Sequence, residues 1–64
     1  MKVLTIECRR IKDEKGFTKC WQLYHEKELL LTGVFLGRLK DQLKIQNQGV
    51  RFNFVNSKGE PLND

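Results

Sequence analysis

The stretch "VRFNFV", residues 50–55, alternates. As a β-strand it places Val50, Phe52 and Phe54 on one side and Arg51, Asn53 and Val55 on the other. Two aromatics at that spacing form either part of a core or a platform on which nucleic-acid bases stack. The choice between them decides how the chain folds, and it rests on what the neighbouring segments need to cover.

Immediately upstream, VFLGRLKDQLKIQ (residues 34–46) carries apolar residues at 35, 36, 39 and 43, with Arg38, Lys40, Asp41 and Lys44 between them. That spacing predicts a helix with one apolar stripe. Thr32 is the expected N-cap, and Asn47-Gln48-Gly49 is the expected end. Gly37 inside the helix costs on the order of 1 kcal/mol relative to Ala, which suggests a close approach to the sheet at that point. The stripe requires an apolar sheet face opposite it. Burying a Phe contributes roughly 1.5–3 kcal/mol, and a chain of 64 residues has little stability to give away. Phe52 and Phe54 are therefore assigned to the core. Phe52, Phe54 and Val55 also fit part of an RNA-recognition strand pattern. Val50, Arg51, Asn53 and Lys58 do not, and the overlap carries no family resemblance.

Working back to the start, residues 2–11 read as a strand with Leu4, Ile6 and Cys8 on one face. Asp13-Glu14-Lys15-Gly16 is a turn signal, and residues 17–25 read as the returning strand. A four-residue loop pairs Lys12 with Phe17, Cys8 with Trp21 and Ile6 with Leu23. Residues 26–31 (EKELLL) read either as a short third strand or as the approach to the helix. The expected fold is α+β: a small antiparallel sheet of three to four strands, order β-β-(β)-α-β, with one helix packed on one face. Residues 1–56 form a single domain, and residues 57–64 are expected to fray.

The chemistry that the composition leaves out narrows the function. Cys8, Cys20 and the single His25 are one ligand short of a tetrahedral zinc site. There is no Gly-rich phosphate loop and no nucleophile with a base at a predictable place beside it. The expectation is a protein that is not an enzyme, with no cofactor and no metal. Free thiols and an apolar run no longer than Leu29–Leu31 point to a cytoplasmic protein without a membrane span.

Twelve Lys and Arg against eight Asp and Glu leave a formal charge of +4. Residues 1–27 hold seven basic and four acidic residues, or +3 of that excess. Arg9, Arg10, Lys12 and Lys19 gather toward the hairpin tip. Gln22, Tyr24, Arg51 and Asn53 line the sheet face away from the helix. Such a hairpin and face suit phosphates and base edges, so the first expected partner is nucleic acid. The alternative is a regulator or inhibitor that docks a partner protein through the open face or an edge strand, as a monomer or as a homodimer.

Overall fold

Five elements follow one another in the computed structural model, which describes residues 3–47 and 49–62: β1 (Leu4–Lys12), β2 (Thr18–His25), β3 (Glu28–Gly33), α1 (Leu36–Gln46) and β4 (Val50–Val55). The segment 26–31 resolves as strand, and the α+β class with one helix is as the sequence suggests. The four strands lie in the order β3-β2-β1-β4. β1–β2 and β2–β3 are antiparallel, whereas β4 lies parallel to β1. The sheet is thus mixed rather than wholly antiparallel. The cause is the helix. One traverse of α1 returns the chain to the end of the sheet where β3 began, so the next strand must run in the direction of β3 and β1.

That traverse is diagonal, from the end of β3 to the start of β4. Ile6, Cys8, Leu23, Leu39 and Leu43 form the buried centre, with Leu4, Trp21, Leu31, Leu36, Val50 and Phe52 packed around it. Phe52 is half-buried and packs against this centre, on the side its alternation implied. Phe54 stands at the corner the diagonal leaves uncovered and stays 38% exposed, edge-on to Trp21 at 6.0 Å between ring centroids. The Lys40 ammonium reaches over it, 5.5 Å from its centroid.

Three local expectations are corrected. Thr32 is a β3 residue whose hydroxyl donates to the Trp21 carbonyl, and the residue at the N-cap is Phe35, without a side-chain cap. Phe35 consequently lies outside the stripe and is exposed. The close approach belongs to Gly33, not Gly37: a Cβ at 33 would lie 3.3 Å from Leu39 Cδ2, while one at 37 would meet nothing within 4 Å. At the other end of the helix, Gln48 lies outside the described residues, as do Met1, Lys2, Asn63 and Asp64.

The β1–β2 register differs by two residues from the expected one. Cys8 pairs with Leu23 and Arg10 with Trp21, while Ile11 faces Cys20 and Lys12 faces Thr18. The loop is one residue longer than expected, and Lys19 is bulged out of the ladder. A slip of two keeps Cys8, Trp21 and Leu23 on the helix side, because strand side chains alternate with a period of two. The bulge moves the residues before it, so that Thr18 joins Arg10 and Lys12 on that side.

Two turns share one construction. In the first, Asp13 Oδ1 accepts from the amides of Lys15 and Phe17, both at 2.9 Å, and Gly16 takes φ +89°. In the second, Asn56 Oδ1 accepts from Lys58 and Glu60, both at 2.9 Å, and Gly59 takes φ +85°. The second turn folds residues 57–62 back along β4. Val55 bridges Pro61, and the Leu62 amide donates to the Phe54 carbonyl at 3.1 Å. Val55 is buried in this way although its side chain belongs to the open face.

The β2–β3 connection is a two-residue turn with Glu26 at φ 49° and Lys27 at φ 71°. Left-handed backbone at both positions marks a type I′ turn, which Asn-Gly fits best. Each non-glycine residue there is strained by about 1–2 kcal/mol. The double substitution Glu26→Asn, Lys27→Gly is therefore expected to stabilise the fold by about 1–2 kcal/mol. A higher urea midpoint at unchanged slope is the readout; a lower midpoint would show that the turn is held by its side chains.

Candidate functional site

Strand lengths set the most exposed feature of the molecule. β4 ends opposite Arg9, and β3 ends opposite Trp21, the partner of Arg10. From Ile11 to Cys20, β1 and β2 have no flanking strand among the described residues. They continue as a two-stranded arm, and the molecule measures 41 Å along its long axis against 22 and 21 Å across it.

The arm is cationic and its tip is pinned. Arg9 and Arg10 stand at its base, with Lys12, Lys15 and Lys19 along it against Asp13 and Glu14. The Asp13 amide donates to the Phe17 carbonyl at 2.8 Å, and the Gly16 amide donates to the Asp13 carbonyl at 3.1 Å. Together with the two bonds to Asp13 Oδ1, these fix the tip backbone. Arg10 Nε donates to Thr18 Oγ1 at 2.6 Å, which lays its guanidinium along the arm.

The residues expected to form the site divide between the two faces. Arg10 and Lys12 lie on the helix side but beyond the helix, and Lys19 sits at the bulge. Arg9, Gln22, Tyr24, Arg51 and Asn53 share the open face, where Arg51 pairs with Thr5 and Asn53 with Glu7. Along the arm the division loses its meaning, because an uncovered ribbon exposes both faces.

Arg9 is committed internally. Its Cζ stands 4.5 Å from the Tyr24 ring centroid, and its Nη2 lies 3.4 Å from where a Cβ on Gly59 would be. Its Nε is buried with no hydrogen-bond partner among the described residues. Tyr24 in turn donates its hydroxyl to Gln22 Oε1 at 2.9 Å. Arg9, Tyr24 and Gln22 thus form a chain of contacts that ties the C-terminal turn to the open face, while Arg51 and Asn53 are exposed beside it.

The two thiols lie on opposite faces and are both free. Burial pushes the Cys8 thiol up to about 11, with the nearby Lys40 ammonium opposing the shift. Cys8 is therefore a neutral core side chain at physiological pH.

Sequence reasoning missed Phe17. It shares strand parity with Trp21 and Leu23 and was placed in β2 opposite Lys12. The bulge at Lys19 breaks that parity and leaves Phe17 at the tip, 68% exposed. The available signal was its position directly after the turn glycine.

No helix among the described residues is long and apolar enough to cross a membrane. Compared with known proteins, the chain matches no family model, no curated protein and no solved structure.

Proposed function

We propose that the chain binds nucleic acid, with the arm as its main contact and Arg51 and Asn53 of the open face as a secondary one. The observation that carries this reading is the arm's isolation. A two-stranded ribbon without flanking strands, rich in Lys and Arg, is narrow enough to enter a groove of the duplex, and its cations then face phosphates on both walls. The reading is of a binding protein rather than an enzyme. Fluorescence-anisotropy titrations with duplex DNA, single-stranded DNA and RNA at about 50 mM salt, where phosphate contacts are strongest, provide the test. Binding to at least one of them is expected, and failure to bind any sinks the proposal.

A second reading, a protein partner or a second copy of the chain, is favoured by the unequal edges of the sheet. The outer edge of β4 is covered at its C-terminal end by the returning segment at Pro61 and Leu62. The outer edge of β3 has no such cover among the described residues, and Leu29, Leu30, Val34 and Phe35 are exposed along it. Bare apolar edges recruit other strands. A chain that binds no nucleic acid and sediments as a dimer would make this second reading the leading one.

A further inference from the structure

Phe17 is the aromatic side chain that, among the described residues, meets neither another ring nor a cation. Among the described residues, Trp21 meets Phe54, Tyr24 lies under Arg9, Phe35 under Arg38, and Phe52 under Lys40 and Lys44. Phe17 has neither ring nor cation over it among these residues, and it is 68% exposed. Its main chain is nevertheless fixed at both its amide and its carbonyl by Asp13. A hydrophobic ring on a fixed main chain at the end of a cationic arm is presented outward, and only its side-chain torsions remain to be ordered on binding.

We infer that Phe17 enters the base stack of a nucleic-acid duplex as a wedge, an inference that rests on the nucleic-acid reading of the arm. Lys15 and Lys19 stand two residues to either side of it, and Lys12 lies across from Thr18. They are placed to meet the phosphates flanking the opened step. One free ring suits one base step. A single strand laid out base by base requires a row of aromatics, and the other rings here are engaged. Apolar side chains inserted in this manner unstack a step and kink the duplex, and pyrimidine–purine steps yield most readily.

The probe is a short duplex with 2-aminopurine in place of adenine at a central TA step, titrated with the full chain at low salt. Wild-type binding should raise the 2-aminopurine emission as the step opens. Phe17→Ala should bind about tenfold or more weakly and leave the emission flat even at saturation. Phe17→Leu, still an apolar wedge, should retain part of the rise. The far-UV spectrum and melting midpoint of Phe17→Ala should stay close to wild type, since the residue is largely exposed and lies outside the buried cluster.

The outcomes separate the wedge from the binding reading beneath it. If Phe17→Ala binds the duplex like wild type and opens the step equally, the wedge is overturned and nucleic-acid binding stands. A Phe17-dependent preference for single strands over the duplex also overturns it, in favour of stacking on an unpaired base. If wild type binds neither duplex nor single strand, both readings fall together.

Discussion

Leu23→Ala is expected to destabilise the protein by about 2–5 kcal/mol, the range for deleting a buried leucine side chain. Leu23 is fully buried, pairs with Cys8 on one side and Leu31 on the other, and lies in the cluster with Leu39 and Leu43. A domain of this size has a total stability of about 3–10 kcal/mol, so the variant should be substantially unfolded at room temperature. Phe54→Ala deletes a larger side chain and yet should cost only about 1 kcal/mol, because the diagonal helix leaves that corner open and little packing is lost. Urea denaturation of both variants is the measurement. Equal losses would show that the helix lies across β4 as fully as across β1 and β2.

Raising the salt is expected to weaken duplex binding steeply. Lys12, Lys15 and Lys19, with the outer guanidinium nitrogens of Arg10, are the arm cations placed to meet phosphates, since Arg10 Nε is hydrogen-bonded to Thr18 and Arg9 lies against Tyr24 and Gly59. Four contacts give a log-log slope of about −3.6, and hence a loss of about 150-fold between about 50 and 200 mM salt. Replacing Lys12, Lys15 and Lys19 by Gln leaves Arg10, and the slope should fall to about −0.9, a loss of only about fourfold over the same range. These three side chains are exposed, so the variant should fold normally. A slope that stays steep in the triple variant would move the interface from the arm to the open face around Arg51.

The parts of the fold that sequence could reveal were those carried by periodicity. The apolar sets on β1, β2 and β4 and the stripe on α1 share one face because side-chain direction follows the period alone. Register is a different matter. It depends on loop length, and one extra loop residue with a bulge at Lys19 shifted the hairpin pairing while leaving its faces in place. β3 was ambiguous because its turn uses Glu26-Lys27 rather than a recognisable turn pair. The arm was legible only as a cluster of charges. Its isolation follows from where β3 and β4 stop, and that is a property of the assembled sheet. Phe17 and Val55 show the same gap from opposite sides. One was read as strand and stands free; the other was read as open face and is closed over by the returning segment.

The parallel pairing of β1 with β4 also governs the order in which the protein can be made. β1 is central in the sheet and first in the chain, yet one of its two edges waits for the last strand. During synthesis the β1–β2–β3 meander can form as soon as it emerges, since its contacts are local. The edge of β1 and the β4 third of the core face remain open until residues 50–55 are released and the crossover through α1 has closed. An unpaired strand beside exposed apolar surface is the species most prone to join another chain. The stage of greatest risk for this protein is therefore the nascent one, in the interval between the third strand and the fourth.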